Sequence, residues 1–325
     1  MKTLVTGGAG YIGSHLVDRL IARGDEVYVV DNLSTGKIQN IQHLFGKEGF
    51  HFINDTVLNE SLIDRIVERA DRIYHLAAVV GVKYVVEDPL HGIYTNVKGT
   101  EIVLSAAYKY WKKTIIASSS EIYGKSRDLP FREDGDRILG PTDVSRWSYS
   151  MSKAIDEHFA FAYANKGLPI AIVRYFNSYG PRLDEKGYGS VVARFIQQAL
   201  CGRPITVHGD GSQGRCFTYI DDTVEGTLLA GEVGEAEGKA FNIAHSHETT
   251  ILELAEHIKA QLKSPSQIQL VPYCSTYGEL FEDTPRRVAS VEAARQILGF
   301  EAKISLEEGL ERTIAWCRKY YAQQK

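Results

Sequence analysis

Short apolar runs alternate with amphipathic stretches through the first half of the chain. The apolar runs predict strands at 4–5, 27–30, 50–53, 72–76, 114–117 and 170–173. Between them, apolar positions at helical spacing predict helices over 11–23, 61–68, 96–110 and 149–165. Strands that alternate with helices in this way form βαβ units, so the pattern predicts a doubly wound α/β fold with a parallel sheet. In such folds, ligands bind at the carboxyl ends of the strands.

The pattern changes after about residue 175, where Gly and Pro become more frequent in the loops. Predicted strands are short there, at 205–208, 217–220 and 241–243. Predicted helices cover 190–201, 222–232, 251–262, 291–298 and 305–322. We therefore expect a doubly wound domain over residues 1–175 and a smaller α+β lobe over 176–325 that packs on the strand ends. No linker of disordered composition separates the halves, so the boundary is soft and segments are free to cross back.

Composition and charge narrow the classes of function. The chain has 325 residues, 44% of them hydrophobic, and a net charge of −4, which offers no basic surface for nucleic acid or an anionic membrane. No apolar run approaches the roughly 20 residues of a membrane span. A strand is predicted directly after Met1, which leaves no room for a signal peptide. The cysteines lack metal-ligand spacing, so we expect reduced thiols, no metal and a cytoplasmic protein, the four being Cys201, Cys216, Cys274 and Cys317.

A glycine-rich loop joins the first predicted strand to the first predicted helix. Residues 6–13 read TGGAGYIG, which places glycines at Gly7, Gly10 and Gly13. Gly7 permits a tight turn, Gly10 lets the backbone approach a pyrophosphate, and Gly13 lets the helix pack closely on the sheet. The helix N-terminus offers free N–H groups and the positive end of its dipole to phosphates. Because the loop lies between a strand and a helix, the pattern predicts a dinucleotide site.

Two acidic residues at strand ends bear on which dinucleotide binds. Asp31 ends the second strand, 18 residues after Gly13. A carboxylate there accepts hydrogen bonds from the adenosine ribose and repels a 2′-phosphate, so NAD is favoured over NADP, although Lys37 lies close in sequence. Asp55 follows the third strand. It either accepts from the adenine amino group or caps its own loop, and the sequence leaves both roles open.

The candidate catalytic groups are a tyrosine and a lysine. Tyr149 and Lys153 are four residues apart on a predicted helix and share one face. This spacing suits a tyrosine acid/base whose pKa is lowered by a neighbouring ammonium group. A lone Tyr-x-x-x-Lys is common, and this chain has 18 tyrosines. The pair becomes specific because Ser118, Ser119 and Ser120 end a strand upstream, with hydroxyls that can share the substrate proton with Tyr149.

Together these motifs resemble the extended short-chain dehydrogenase/reductase family of nucleotide-sugar enzymes. The resemblance spans nearly the whole chain, through TGGAGYIGSHL, VVDNLSTG, YHLAA, TNVKGT, SSSEIYG, YSMSK, RYFNSYGPR and GSQGRCFTYIDD. It implies that the tyrosine removes the sugar 4-OH proton while C4 is oxidised, and that NAD is recycled within one turnover. It also implies further cofactor contacts, at Tyr11, Ile12, Asn32, Ser34, Gly36, Thr56, Leu76, Ala77, Ala78, Asn96, Ser118 and Tyr175.

The same matching predicts contacts to the nucleotide-sugar. They are Val80, Ser120, Tyr149, Asn177, Arg194, Arg215 and Arg287. Arginine suits the diphosphate because its planar fork binds two oxygens at once, and either Arg286 or Arg287 matches the family position. Asn96 resembles a family asparagine that orders the active-site helix. Asp221 and Asp222 are expected to cap a helix rather than to take part in chemistry.

Glu121 is the residue that separates the possible reactions. Among enzymes that this chain resembles, 4-epimerases often have a small or apolar residue there, whereas 4,6-dehydratases and UDP-glucuronate decarboxylases have Glu. Ser120 stands where dTDP-glucose dehydratases have Asp, which argues against that subclass, while GDP-mannose dehydratases have Ser-Glu. The stretches GPTDVSRWSYSMSK, GPRLDEKGYGS and EDTPRRVASVEAA resemble the decarboxylases, in which an Arg faces the sugar carboxylate. Arg287 is the match, although Val288-Ala289 follows it where the decarboxylases have Lys-Pro.

The favoured interpretation is a UDP-glucuronate decarboxylase that gives UDP-xylose or its 4-keto precursor. A UDP-sugar 4-epimerase, acting on UDP-glucose or UDP-glucuronate, and a nucleotide-sugar 4,6-dehydratase stay open. A non-catalytic NAD sensor is a remote alternative, because Ser119, Tyr149 and Lys153 are all present. The aromatic-rich patterns over 96–110 and 149–165 resemble family helices that pair across a two-fold axis, so a homodimer through a four-helix bundle is expected.

Overall fold

The observed elements follow the predicted alternation of strands and helices. The computed structural model describes residues 1–81, 88–183, 190–273 and 282–322. Its strands are β1 (Lys2–Thr6), β2 (Glu26–Val30), β3 (Phe50–Ile53), β4 (Arg72–His75), β5 (Lys113–Ser119), β6 (Ile170–Tyr175), β7 (Ser178–Tyr179), β8 (Ile205–His208), β9 (Gly214–Cys216), β10 (Thr218–Tyr219), β11 (Lys239–Ile243), β12 (Glu248–Thr250), β13 (Ile268–Val271) and β14 (Arg286–Arg287). Its α-helices are α1 (Tyr11–Ala22), α2 (Glu60–Arg69), α3 (Pro89–Tyr110), α4 (Arg146–Ala164), α5 (Val191–Leu200), α6 (Ile220–Glu232), α7 (Ile251–Leu262) and α8 (Leu306–Ala322).

A seven-stranded sheet forms the centre of the fold, in the order β11-β6-β5-β4-β1-β2-β3. Every neighbouring pair is parallel, which confirms the predicted doubly wound α/β fold. Residues of α1 and α6 bury their apolar side chains in one large cluster, and residues of α2, α3 and α4 in another. The reversal of strand order between β1 and β4 opens a crevice at the carboxyl ends of the strands.

β11 comes from the second half of the chain and pairs with β6 from Lys239 to Ile243. The second half therefore contributes an edge strand to the main sheet, in addition to α6, which packs against β5 and β6. The division into a domain over 1–175 and a lobe over 176–325 stays a prediction, with this strand crossing back.

Two helices begin earlier than the sequence pattern predicts. α3 begins at Pro89 rather than at residue 96, because the Asp88 side chain accepts a hydrogen bond from the His91 amide (3.0 Å) and proline suits the first helical turn. α4 begins at Arg146 rather than at residue 149. The active-site tyrosine therefore lies one turn inside its helix.

The smaller lobe is built from short strands around the carboxyl end of the main sheet. β12, β9 and β14 form a three-stranded sheet, while β13 pairs with β8 and β10 with β7. In the parallel β9–β14 pair, Arg215 lies directly opposite Arg287. Two arginines that are far apart in sequence are thereby brought side by side.

Three details of the second half differ from prediction. The strand expected over 217–220 is limited to β10, because Ile220 already begins α6. The helix expected over 291–298 is a π-helical turn, Ala294–Leu298, that ends at Gly299 in the left-handed conformation. Asp222 does not cap α6. Its carboxylate accepts from the amides of Lys303 (3.1 Å) and Ile304 (2.9 Å) and ties that segment to the helix.

Within the described ranges, no helix is both long and apolar enough to cross a membrane. Cys201 and Cys216 are free thiols, Cys317 is buried in the core, and Cys274 lies outside the described residues.

Candidate active site

A cleft of about 320 Å³ runs along the carboxyl ends of the central strands, a volume typical of small-molecule sites. Most of the predicted cofactor contacts line it: Gly7, Gly10, Tyr11, Ile12, Gly13, Asp31, Asn32, Ser34, Asp55, Thr56, Leu76, Ala77, Ala78, Ser118, Tyr149, Lys153 and Tyr175. The predicted substrate contact Val80 and the predicted catalytic Ser119 line it as well. Other residues that line the cleft were not predicted, and most of them are neighbours in sequence of predicted contacts: Val30, Thr35, Val57, Val79, Thr95, Ala117, Ser178 and Leu183. Because ligands bind at the carboxyl ends of parallel strands, the residues that flank each predicted strand end could have been included.

Two predicted cofactor residues support the cleft from behind. Gly36 lies under Asp31, where an added Cβ would be 2.8 Å from the carboxylate. Asn96 is buried; its Oδ1 accepts from the Val79 amide (2.7 Å) and its Nδ2 donates to the Val79 carbonyl (3.3 Å). Its Nδ2 also donates to the hydroxyl of Ser152 on α4 (3.2 Å). Asn96 thus joins the strand-end segment to the active-site helix.

The glycine loop leaves no room for side chains. Gly7 has φ +71°, and an added Cβ there would lie 2.7 Å from the Ala77 amide nitrogen. A Cβ on Gly13 would overlap the carbonyl oxygen of Gly7. The loop is therefore closed against both β4 and α1, which leaves its outer side and the N-terminus of α1 to the ligand. This shape fits a pyrophosphate.

Replacing Gly13 by Ala is expected to destroy cofactor binding, because the new methyl group must displace the Gly7 carbonyl and distort the phosphate loop. Titration calorimetry with NAD would measure this, and we expect affinity to fall by at least about 100-fold, a loss of roughly 3 kcal/mol. The control is Gly234→Ala, whose methyl group meets no atom within 4 Å. Wild-type affinity in the Gly13 variant would contradict the assignment of the loop.

The two acidic residues take different positions. Asp31 is buried at the end of β2 and accepts from the amides of Ala9 (2.9 Å) and Leu33 (2.8 Å), which hold its carboxylate at the cleft. Burial raises its pKa, and these backbone hydrogen bonds partly offset the rise. Asp55 accepts from the Thr56 amide (2.7 Å) and from Asn59 (2.9 Å). It therefore caps its own loop while also lining the cleft.

Tyr149 and Lys153 both face the cleft from α4, one helical turn apart. The Ser119 side chain at the end of β5 also lines the cleft and lowers the pKa of the Tyr149 hydroxyl. Burial, Glu121 and Asp156 raise the pKa of Tyr149 more than Lys153 and Ser119 lower it, so the net direction is upward. The lowered pKa predicted from the sequence is wrong, because the Tyr-x-x-x-Lys spacing shows the ammonium group but not the burial of the phenol.

Beside this pair lies a cluster of five charged side chains, in which the three arginines are buried and the two carboxylates are 21% exposed. Glu121 bonds Arg287 (3.0 Å) and Arg146 (3.4 Å), and Asp283 bonds Arg146 (3.4 Å) and Arg215 (3.1 Å). Among the described residues, the cluster brings three arginines together with two carboxylates. Arg146 and Asp283 were missed in the sequence, although Arg146 lies three residues before Tyr149 and so on the same face of α4.

The cluster strongly favours ionised carboxylates. Burial raises the pKa of Glu121, but Arg287, Arg146 and Arg215 outweigh it, so the net shift is downward. The same arginines lower the pKa of Asp283 against its own burial. Burial and the neighbouring Arg287 lower the pKa of Arg215 to about 10. An additional anion would relieve the repulsion among the three guanidinium groups.

The remaining predicted substrate residues lie apart from the cofactor cleft. Ser120 is buried in a 3₁₀ turn, Ser120–Tyr123, that directs Glu121 into the charged cluster. Asn177 has φ +26°, and its Oδ1 has no hydrogen-bond partner among the described residues. Arg194 lies on α5 and reaches the Thr206 carbonyl (3.4 Å). Arg286 is exposed and pairs with Glu248, so of the two candidate arginines only Arg287 points into the cluster.

Comparison with known proteins gives a consistent result. The family model described as GDP-mannose 4,6 dehydratase matches residues 4–313. The chain is 42% identical to the UDP-N-acetyl-alpha-D-glucosaminuronate decarboxylase of Bacillus cytotoxicus, over 98% of both chains. It is 37% identical to UDP-glucuronic acid decarboxylase 1 of Danio rerio, over 97% of this chain and 72% of that protein.

The chain belongs to the extended short-chain dehydrogenase/reductase family of nucleotide-sugar epimerases and dehydratases.

Solved structures of this family extend the result to the cofactor. UDP-glucuronic acid 4-epimerase from Bacillus cereus, crystallised with UDP-glucuronic acid and NAD, has a TM-score of 0.88 and 30% identity over 99% of this chain and 100% of that one. The protein is an NAD-dependent nucleotide-sugar enzyme, and the resemblance stated from the sequence is confirmed. The glycine loop, Asp31 and the Tyr149–Lys153 pair fit NAD, since a diphosphate and a ribose each meet a matching group.

Proposed function

We propose that this enzyme decarboxylates UDP-glucuronate, giving UDP-xylose or its 4-keto precursor. The observation that supports this most is the charged cluster, in which Arg146 of α4 and Arg287 of β14 hold Glu121 beside the catalytic tyrosine. A substrate carboxylate can pair with these arginines, because arginine forks bind carboxylates at two oxygens. The decarboxylase names of the relatives at 37–42% identity point in the same direction.

The residues of this chain suit each step of that reaction. The redox change at the sugar C4 comes from NAD when it is bound. Tyr149, which lines the cleft with Ser119, takes the proton of the 4-hydroxyl as C4 becomes a carbonyl. The C6 carboxylate is then that of a β-keto acid. Its bond to C5 breaks, carbon dioxide leaves, and the electron pair moves into an enolate whose charge rests on O4.

Protein groups at O4 stabilise this enolate. The Tyr149 and Ser119 hydroxyls donate hydrogen bonds to the developing charge, and C5, which has lost the carboxylate, then takes a proton from water. Glu121 is ionised and held by two arginines, so it acts as an acceptor that orients the sugar or a water molecule. In a dehydratase the same carboxylate would have to take the C5 proton, and its lowered pKa makes it a weak base for that step.

Product analysis tests the function directly. The enzyme is incubated separately with UDP-glucuronate, UDP-N-acetylglucosaminuronate, UDP-glucose and GDP-mannose, and the products are identified by NMR. Release of carbon dioxide from UDP-glucuronate is the expected result. Inversion at C4 without loss of mass would replace the proposal with a 4-epimerase, which the structural similarity to the UDP-glucuronic acid 4-epimerase favours as second candidate. A 4-keto-6-deoxy product would identify a dehydratase, and no turnover of any substrate a sensor.

We further propose that the enzyme is a cytoplasmic homodimer that pairs through α3 and α4. Both helices expose apolar side chains at the surface: Leu90, Ile93 and Tyr94 on α3, and Met151 on α4. Several aromatic residues expected at this interface instead pack on the internal core: Tyr110, Phe159, Phe161 and Tyr163. α3 and α4 pack against each other along their lengths, so two copies together would make a four-helix bundle.

The dimer is tested by placing charge on this surface. Replacing both Leu90 and Tyr94 by Glu should give a monomer in sedimentation velocity at micromolar concentration, because charges cannot be buried unpaired at an apolar interface. Leu270→Glu is the matched control, since Leu270 is also an exposed apolar residue (54%) but lies on β13. A monomeric wild-type protein would reject the proposal.

A further inference from the structure

Lys153 has a buried carboxylate partner on its own helix. Its Nζ donates to Oδ2 of Asp156 (3.0 Å) and to the Ala117 carbonyl at the end of β5 (3.0 Å). The Lys153 side chain is 4% exposed and the Asp156 side chain 0%. An ion pair this deeply buried, whose lysine lines the cofactor cleft, is unlike the solvated Lys–Glu pairs elsewhere on the helices.

We propose that Asp156 is a positioning residue that holds the Lys153 ammonium group against β5 and sets the pH range in which Tyr149 works. This inference deepens the proposed function and rests on Tyr149 being its base. Asp156 contacts neither the cleft nor Glu121 in the described structure, so it acts through Lys153. Its negative charge opposes the effect of the ammonium group on the phenol.

Tyr149, Lys153 and Asp156 are surrounded by a small set of charged and polar groups. Asp156 is faced by Lys153 and Glu157 and by the Thr100 hydroxyl. Tyr149 is faced by Lys153, Glu121 and Asp156, and by the Ser119 hydroxyl. Lys153 is faced by Asp156, Tyr149 and Glu157, and it disfavours protonation of His75 on β4.

Two further neighbours of Lys153, Glu157 and His75, are held by partners of their own. The Glu157 carboxylate accepts from Nη2 (2.7 Å) and Nε (2.9 Å) of Arg174, so its charge is largely compensated. His75 bonds to the hydroxyls of Thr6 and Thr100, and burial together with Lys153 lowers its pKa to about 3, which keeps it neutral. Asp156 is therefore the nearby carboxylate that compensates Lys153.

Removing the negative charge of Asp156 is expected to lower the pKa of Tyr149. In Asp156→Asn the ammonium group of Lys153 is no longer opposed, so the Tyr149 phenolate is favoured and its pKa falls. The acid limb of the kcat/KM profile should then move to lower pH by on the order of one unit, as expected for one charge at short range in a buried site. The plateau should fall much less, because the asparagine oxygen can still accept from Lys153.

Two conservative variants separate charge from packing. Asp156→Glu keeps the charge and should keep the acid limb at its wild-type pH, while Asp156→Ser is a second neutral variant should Asn fail to fold. The matched control is Glu292→Gln. It removes the carboxylate of another ion pair with i, i+3 spacing, the exposed pair between Glu292 and Arg295 (2.9 Å). It should not move the limb. An unmoved limb in folded neutral variants would overturn the proposal.

A second readout does not depend on the substrate. The ultraviolet difference spectrum between the NAD-bound enzyme and its Tyr149→Phe variant reports tyrosinate at Tyr149 as pH rises. Asp156→Asn should lower the pH at which this signal appears, and Asp156→Glu should not. If no nucleotide-sugar is turned over but the signal shifts, the proposed function fails and the role of Asp156 stands. If turnover is normal and the signal does not shift, the reverse holds.

Discussion

Replacing Tyr149 by Phe should lower kcat for carbon dioxide release from UDP-glucuronate by about 10²- to 10⁴-fold, the usual contribution of a positioned acid/base group. The phenol is the group that Ser119 and Lys153 orient toward the cleft, and phenylalanine fills its space without a proton to transfer. NAD affinity and melting temperature should change little. The measurement is initial rate by NMR at saturating substrate.

The matched control for this substitution is Tyr163→Phe, on the same helix but packed on the core away from the cleft. It should leave kcat near the wild-type value. A Tyr149→Phe enzyme that turns over as fast as the control would show that another group accepts the 4-hydroxyl proton, and the mechanism would fail with it.

Replacing Arg287 by Lys should lower kcat/KM for UDP-glucuronate by about 10- to 100-fold, the range expected when a hydrogen bond to a charged group is lost. Lysine keeps the charge but loses the planar fork that binds two carboxylate oxygens. The buried ion pair with Glu121 (3.0 Å) is also disturbed, so some loss of stability should accompany the loss of activity. Steady-state kinetics and thermal melting separate the two effects.

The neighbouring residue provides the control for Arg287. Arg286→Lys makes the same chemical change one position earlier, at an exposed side chain that pairs with Glu248. It should affect neither kcat/KM nor melting beyond experimental error. Equal effects at the two positions would mean that the charged cluster does not recognise the substrate carboxylate.

Local sequence patterns were enough to predict the centre of the fold. The βαβ alternation, the glycine spacing and Asp31 each depend on residues close together in the chain, and the cleft contains them nearly as predicted. Helix starts were less accurate, because the Asp88 cap and Pro89 precede the apolar periodicity from which α3 was inferred. Capping is decided by one side chain, which a periodic pattern does not record.

The charged cluster could be predicted only in part, because strand pairing over a long sequence distance brings its members together. Arg215 and Arg287 become neighbours through the pairing of β9 with β14, and Asp283 reaches them from the loop before β14. Strands of two or three residues carry almost no periodic signal, so this pairing is invisible in the sequence. The raised pKa of Tyr149 was missed likewise, since burial depends on the whole assembly rather than on the Tyr-x-x-x-Lys spacing.

The position of β11 has a consequence for how this protein is made. Until residues 239–243 leave the ribosome, β6 is an open edge with unpaired backbone groups, and its face lacks the cover of α6. The nucleotide half therefore reaches its native state only after more than two thirds of the chain has been synthesised. A nascent chain stalled after β6 would expose the unpaired backbone groups of this edge, a surface that favours pairing with other chains.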